Sequence, residues 1–201
     1  MSELDLLQAV RLKGRARAAD LAATAGLPEA DGSAELARLA AAGLVEGKSL
    51  LRITPAGRER LDALLAEERA GADSAAISVL YSAFRAVNAD FKALVVDWQL
   101  KDGEPNPHTD ADYDAAVLAR LAEIHERVVP ILDSAAVQIP RLARYTGKLA
   151  DALTEIRAGD HSWFTKPIAD SYHTVWFELH EELILAAGLT REAEARAGHA
   201  H

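Results

Sequence analysis

The stretch LARLAAAGLVEGKSLLRITPAGRERL, residues 36–61, predicts the end of one helix, a short hairpin and the start of another helix. Gly43 stands where a helix C-cap favours a residue that tolerates left-handed backbone geometry. The polar segment 46–48 carries a glycine between two apolar runs, as the tip of a β-hairpin requires. Thr54 followed by Pro55 is typical of a helix start, because a hydroxyl caps the helix and proline suits its first position.

These residues resemble the winged-helix DNA-binding domains of MarR-type transcriptional regulators. The segments GLV at 43–45 and LRITPAGR at 51–58 follow the family pattern of GLV, then LT, two further residues and GR. This resemblance covers roughly the first third of the chain, and segments 84–99 and 170–181 resemble the C-terminal helices of bacterial proteins grouped as MarR-like. It implies a helix-turn-helix whose third helix enters the major groove. We expect that helix at about 33–42, capped by Ser33 or Asp31.

We therefore predict a mainly α protein: an N-terminal winged helix-turn-helix with a small two-stranded wing, followed by a C-terminal helical bundle. The predicted divisions are 1–72 for the winged helix, 73–190 for the bundle, and 191–201 for a flexible polar tail. Within the bundle, apolar residues spaced three and four apart predict helices over 75–100, over 110–129, from 140 and over 167–185. Pro130 could kink the second of these helices, because segment 131–137 is also apolar and helix-prone. The polar segment 101–110, with two prolines, is expected to be a loop.

Composition favours a globular, helical protein of the cytoplasm. The chain has 201 residues, half of them hydrophobic, and no cysteine, which fits a reducing compartment. Its N-terminus does not have the pattern of a signal peptide, and no apolar run approaches the ~20 residues that span a membrane. Because the sequence has no phosphate-binding glycine loop, nucleophile elbow or cysteine nucleophile, we expect neither an enzyme nor a cofactor.

The net charge of −9 is unevenly distributed along the chain. Residues 1–70 hold 10 Lys or Arg against 11 Asp or Glu, whereas residues 71–201 hold 12 against 20. The first part is therefore close to neutral and the second is acidic. This distribution permits DNA binding by the first part without arguing for it.

Seven residues of the first part are candidates for DNA contact. They are Arg15 and Arg17 after the first helix, Ser33 and Arg38 on the third, Lys48 and Arg52 on the wing, and Arg58 on the next helix. The alternative is that these cations belong to ordinary solvated surfaces. Positions 29–34, where the family usually reads bases, are mostly acidic or short, and Arg38 is the only long cation of that helix. We therefore expect weak or strongly salt-dependent DNA binding, or a domain that now contacts protein instead.

The segment 170–182 is the densest polar and aromatic part of the chain. On a helix, His173, Phe177 and His180 share one side. Three interpretations stay open: core histidines with hydrogen-bond partners, the lining of an effector pocket, or a metal site. The candidate pocket residues are Asn88, Lys92, Trp98, Arg144, Tyr172, His173, Trp176 and His180. A metal site is the weakest of the three, because the two histidines are roughly 10 Å apart along the helix and no i,i+4 pair exists.

Taken together, these features predict a transcriptional regulator that binds double-stranded DNA as a homodimer, because bacterial operators commonly match two-fold protein symmetry. The helical part would bind a small effector or mediate dimerisation, and effector binding would change DNA affinity. The alternative is an interaction or adaptor module whose winged helix contacts a protein. The acidic third helix and the net charge of −9 favour that alternative.

Overall fold

Two units make up the computed structural model, which describes residues 2–167 and 169–199 of the chain. The first unit covers residues 1–72 and the second covers residues 73–201. Both consist mainly of helices, with one two-stranded antiparallel sheet in each. None of the helices in the described ranges is both long enough and apolar enough to cross a membrane.

The N-terminal unit places three helices before a hairpin and one after it. Its elements are α1 (Ser2–Lys13), α2 (Ala18–Ala25), α3 (Glu29–Ala41), β1 (Val45–Glu46), β2 (Arg52–Ile53) and α4 (Pro55–Ala70). In the hairpin, Val45 pairs with Ile53. The segment between α1 and α2 joins the hairpin as well, because Leu51 N donates to Ala16 O at 2.8 Å and Ala16 N donates to Leu51 O at 3.3 Å.

The core of this unit is aliphatic throughout. Helix α1 packs against α2, α3 and α4, and α2 packs against α3. The buried side chains that fill the space between them include Leu6, Leu7, Val10, Leu21, Leu36, Leu39, Val45, Leu61 and Leu65. Residues 1–72 contain no phenylalanine, tyrosine or tryptophan. Burial of branched and unbranched aliphatic chains is therefore the main favourable term in the folding of this unit.

The local signals around the hairpin are confirmed by the structure. Gly43 has a φ of +72°, as a left-handed helix end requires. Thr54 caps α4, since its Oγ1 accepts from Gly57 N at 3.0 Å, and Pro55 occupies the first helical position. Gly57 has a second role: a Cβ built there would lie 2.0 Å from Leu44 O. Only glycine lets the start of α4 approach the strand so closely.

Helix α3 begins earlier than the sequence predicts. The expected start, near Ser33, is wrong, because the helix runs from Glu29 directly after Pro28. Ser33 is therefore a half-buried residue inside the helix and not its cap. Gly32, which precedes it in the same helix, allows close packing, since a Cβ on it would lie 2.4 Å from Ala22 Cβ.

The C-terminal unit is a bundle of four principal helices with small additions. Its elements are α5 (Ser74–Gln99), β3 (Leu100–Lys101), β4 (Glu104–Pro105), α6 (Ala111–Gln138), a 3-10 turn (Pro140–Leu142), α7 (Ala143–Arg157), a second 3-10 turn (His161–Phe164), α8 (Tyr172–Ala186) and α9 (Arg191–Arg196). Helix α5 packs on α6, α6 on α7, α7 on α8, and α8 returns to α5. The four helices thus enclose one core.

Several boundaries in this unit differ from the predictions. The expected loop 101–110 contributes to a hairpin, in which Leu100 pairs with Pro105. Helix α6 continues through Pro130 to Gln138, because Val128 and Leu132 on either side of the proline are both buried. The last long helix begins at Tyr172 with Ser171 as its cap, and not at Pro167. Residue 168 of that predicted start lies outside the described residues.

The segment 191–201 was predicted to be a flexible tail, but most of it is ordered as a helix. Residues Arg191–Arg196 form helix α9, capped by Thr190, whose side chain accepts from Ala193 N. Glu194 on this helix is only 6% exposed. A buried carboxylate needs partners, and those partners lie on α5, far away in the sequence. Residues 200 and 201 of the predicted tail lie outside the described part of the chain.

Candidate functional site

A cavity of about 350 Å³ opens between α5, α8 and the segment that follows α8. It lies entirely within the C-terminal unit. The described residues that line it are Asn88, Phe91, Lys92, Val95, Val96, Gln99, His173, Trp176, Phe177, His180, Arg191 and His199. None of these residues is acidic, whereas aromatic, apolar and cationic side chains are all present. Such a lining suits a small ligand with an apolar body and a negative group.

The floor of the cavity is a stack of aromatic rings. Trp176 stacks with Phe84 and with Phe91, with ring-centroid distances of 5.3 and 4.2 Å. Its Nε1 donates to Asn88 Oδ1 at 2.9 Å, so the polar edge of the indole is satisfied although the ring is buried. This bond also fixes the orientation of the Asn88 amide. Its Nδ2 is consequently directed to the opposite side, where it donates to His199 O at 3.2 Å.

Cationic groups stand at the edge of the cavity. Lys92 is half-buried on α5, one turn after Asn88, and its Nζ donates to Gly198 O at 3.4 Å. Arg191 lies over the Phe177 ring, 4.5 Å from its centroid, and forms an ion pair with Glu181. The charge of Arg191 is thus balanced by an acid, whereas the described partner of Lys92 is a neutral carbonyl. Lys92 is therefore the cation best placed to receive an anionic group.

A buried polar chain holds α9 against this site. Tyr81 on α5 donates to Glu194 Oε2 at 2.6 Å, and Arg85 Nε lies 3.8 Å from the same oxygen. The Tyr81 hydroxyl also lies 3.4 Å from His180 Nε2. Burial lowers the pKa of His180 from 6.5 to about 4, despite the nearby Glu181 carboxylate. The imidazole is therefore neutral at pH 7, and burial raises the pKa of Tyr81 as well.

The structure brings together five of the eight predicted pocket residues. Asn88, Lys92, His173, Trp176 and His180 line the cavity, and Phe177 joins them as the shared helix side predicts.

The other three predicted residues lie elsewhere in the unit. Trp98 packs on His108, with ring centroids 4.3 Å apart. The fully buried Tyr172 has its hydroxyl 3.1 Å from His125 Nδ1. Arg144, in the first turn of α7, donates through Nε to Arg141 O in the preceding 3-10 turn.

Two lining residues were missed because they belong to the segment expected to be flexible. Arg191 and His199 reach the cavity only because α9 folds back on α5. The sequence contains one signal for this, namely Thr190 followed by an acidic first turn at Glu192 and Glu194, which is typical of a helix start. A helix of six residues needs tertiary contacts to form, and those contacts are invisible in the sequence.

In the N-terminal unit, the predicted DNA-contacting cations cluster around the hairpin. Arg15 and Arg17 flank Ala16, which pairs with the hairpin, and Lys48 lies in its tip. Arg52 lies on β2, where it pairs with Glu46 at 2.7 Å, and Arg58 lies in the first turn of α4. All five side chains are exposed. Among residues 2–167 and 169–199, Arg15, Lys48 and Arg58 make no ion pair, while Arg17 contacts Asp20 at 3.6 Å.

Arg38 on α3 is engaged within the protein. Its guanidinium donates to both carboxylate oxygens of Glu35, at 2.8 and 2.7 Å, and to Glu3 Oε2 at 3.1 Å. Glu3 also accepts from Arg60 at 2.7 Å. The hydrogen bond from Arg60, together with that from Arg38, holds the pKa of Glu3 below its usual value. Helix α3 therefore presents its one long cation already bound by acids.

The described residues include no group of three or more His, Cys, Asp or Glu side chains that could hold a metal ion. Comparison with protein-family models, with curated proteins and with solved structures gives no match to this chain.

Proposed function

We propose that the chain is a transcriptional regulator of the MarR-like winged-helix class, whose N-terminal unit binds double-stranded DNA and whose C-terminal unit binds a small effector. The order of helices, hairpin and helix in the N-terminal unit supports this proposal, together with the GLV and TPAGR segments around the hairpin. Function as a homodimer is part of the proposal, because operators commonly share the two-fold symmetry of the proteins that bind them.

The observation that carries the proposal is the cluster of exposed cations around the hairpin. Arg15, Arg17, Lys48 and Arg52 are attached to three backbone segments that are hydrogen-bonded together or joined by a short tip. Their spacing is therefore fixed by the backbone and not by flexible linkers. Fixed, exposed cations are the groups that bind the phosphate backbone of a duplex.

Helix α3 contributes less to this proposal than the hairpin. Before Arg38 can reach a base, it must leave three hydrogen bonds to Glu35 and Glu3. We therefore propose binding that is dominated by phosphate contacts, with a modest sequence preference. Such binding weakens steeply as salt rises, because it depends on the release of counterions from DNA.

The test is fluorescence anisotropy of labelled DNA from around the protein's own gene, beside a random duplex, at about 50 and about 200 mM salt. We expect saturable binding at low salt and a loss of at least tenfold at high salt. Arg52→Gln and Lys48→Gln should each weaken binding to both duplexes and lower the salt slope by about one. Arg127→Gln, which removes the same charge from a surface ion pair with Asp90 in the C-terminal unit, is the matched control.

A second candidate function is a protein-contact module, and the ion pairs of α3 favour it. Glu3, Glu35, Arg38 and Arg60 together leave the described surface of this helix without an unpaired long cation. Absence of binding to either duplex at about 50 mM salt, with a stably folded chain, would reject the DNA-binding proposal. It would favour the protein-contact function, and co-purification of a stable partner would support that function directly.

A further inference from the structure

We infer that the cavity of the C-terminal unit takes a small amphipathic carboxylate, which displaces the end of the chain segment that follows α8. This segment, residues 191–199, is called the strap below. The inference names the chemical class of the effector and therefore rests on the effector role in the proposed function. It follows from the hydrogen bonds that two donors inside the cavity make to backbone carbonyls of the strap.

The two donors lie on one face of α5. Asn88 and Lys92 are one helical turn apart, so their side chains project in the same direction. Asn88 Nδ2 donates to His199 O at 3.2 Å and Lys92 Nζ donates to Gly198 O at 3.4 Å. Two consecutive carbonyl oxygens of the strap thus accept hydrogen bonds from two neighbouring donors, and one of these donors, Lys92, is a cation.

A carboxylate can replace these two oxygens with a better partner. It presents two acceptor oxygens on one carbon, and it carries the charge that a backbone carbonyl lacks. A hydrogen bond from Lys92 to a carboxylate joins two opposite charges, so it is stronger than the bond from Lys92 to a neutral carbonyl. The absence of acidic residues among the described lining residues means that no fixed carboxylate competes for this position.

The remainder of the cavity selects an apolar body. Phe91, Val95, Trp176 and Phe177 provide aromatic and aliphatic walls next to the two donors. The Trp176 indole has already given its N–H to Asn88, so the face that it offers to a ligand is apolar. A volume of about 350 Å³ lies at the lower end of the ~300–1,000 Å³ range of ligand sites, which favours a compact molecule.

The strap can release its end without losing its helix. Helix α9 is held by Glu194, which accepts from Tyr81, and by Arg191, which pairs with Glu181. The two carbonyls that face the donors lie beyond this anchored part, at Gly198 and His199. Gly198 has a φ of +79°, a conformation that positions the end of the strap after the helix. The strap end therefore competes with the ligand, and its closed position lowers the apparent affinity.

The test is isothermal titration calorimetry of the full chain with cyclohexanecarboxylate, its neutral amide and acetate. We expect saturable binding of cyclohexanecarboxylate, with the amide at least tenfold weaker because it lacks the charge. Acetate, which has the charge but no apolar body, should also bind at least tenfold more weakly. Equal affinities for the carboxylate and the amide would overturn the inference.

Two variants separate the donor from the strap. Lys92→Met should weaken binding of the carboxylate at least tenfold and leave the amide unchanged, with Arg127→Met as the control for loss of a surface cation. Gly198→Pro forces φ to about −65° and removes the N–H that donates to Ala195 O, so the strap carbonyls and His199 leave the cavity while its lining on α5 and α8 is kept. The carboxylate should therefore bind severalfold more tightly. No binding to Gly198→Pro protein, shown to be folded by circular dichroism, would contradict the inference.

The effector role is tested separately, by repeating the DNA titration with saturating cyclohexanecarboxylate. A change in DNA affinity of severalfold supports both the ligand class and the proposed regulation. Carboxylate binding with no change in DNA affinity would contradict the effector role while supporting the assignment of the ligand class.

Discussion

The hydroxyl of Tyr81 donates a 2.6 Å hydrogen bond to Glu194, and both side chains are buried. This bond joins the first helix of the C-terminal unit to its last. Tyr81→Phe removes the donor and leaves a buried carboxylate with the more distant Arg85 as its described partner. We expect the free energy of unfolding of the C-terminal unit to fall by about 1–3 kcal/mol, as measured by urea denaturation.

Tyr113→Phe is the matched control for that substitution. The Tyr113 hydroxyl also donates, to Asp97 O at 2.9 Å and to Leu100 O at 3.3 Å. Its removal leaves only backbone carbonyls without this donor, and the ring is half-exposed. Its loss should cost less than about 1 kcal/mol. Faster amide exchange over residues 191–199 in Tyr81→Phe, and not in Tyr113→Phe, would show that the bond holds the strap. Equal exchange in the two variants would refute that role.

Glu3→Gln is expected to strengthen DNA binding. Glu3 accepts hydrogen bonds from Arg38 and Arg60, so neutralising it weakens the hold on two cations of the N-terminal unit at once. At about 50 mM salt the affinity for any duplex should rise severalfold, and the salt slope should steepen. Glu104→Gln makes the same change of charge in the C-terminal unit. If both variants bind DNA equally well, the ion pairs of Glu3 do not limit binding.

The buried imidazole of His180 should make stability fall on mild acidification. Its pKa is about 4 in the folded chain against 6.5 when unfolded, so the unfolded state binds more protons between these values. The free energy of unfolding therefore decreases as the pH falls from 7 towards 4. This residue should contribute a loss of about 2 kcal/mol between pH 7 and pH 5.

His180→Gln is the variant that isolates this effect. It removes the titrating group while other ionisable residues keep their own contributions in both proteins. The difference in free energy of unfolding between the two proteins should therefore change with pH, and the wild type should lose more stability on acidification. Parallel curves from pH 7 to pH 5 would show that His180 does not carry the effect.

Two glycine-to-alanine substitutions should have opposite effects on stability. At Gly57 the added Cβ would lie 2.0 Å from Leu44 O, so Gly57→Ala should destabilise the N-terminal unit by about 1–3 kcal/mol or more. At Gly147, inside α7, an added Cβ would meet no described atom within 4 Å apart from its chain neighbours and the backbone of its own helix. Gly147→Ala should stabilise the C-terminal unit by about 0.5–1 kcal/mol, because alanine favours the helix. Thermal denaturation followed by circular dichroism distinguishes them, and equal shifts in the same direction would reject the packing argument.

Local signals in the sequence predicted the helix end before the hairpin and the helix start after it. Thr54, Pro55 and Gly43 act through their own backbone and nearest neighbours, so their roles follow from residue type alone. Gly32 has no such local role. Its function is to let α3 approach Ala22 on α2, which depends on how two helices pack. The predicted start of α3 was wrong because Ser33 has the residue type of an N-cap, although it lies inside the helix.

The sequence predicted which pocket residues share one side of a helix, but not which residues of different helices come together. The shared side of His173, Phe177 and His180 follows from helical periodicity alone. Trp98 was expected beside Asn88, but ten residues of α5 separate the two by about 15 Å. The bond between Tyr81 and Glu194 joins residues 113 positions apart, and no periodicity in the sequence reveals it.

The N-terminal unit has no aromatic side chain and therefore gives no near-ultraviolet absorbance or fluorescence of its own. Every phenylalanine, tyrosine and tryptophan of the chain lies in residues 73–201. Intrinsic fluorescence, absorbance at 280 nm and near-ultraviolet dichroism therefore report on the C-terminal unit alone. A single tryptophan placed in the first 72 residues, at an exposed position, would give each unit its own signal. The unfolding of the two units, and the response of each to DNA or to a carboxylate, could then be followed separately in one sample.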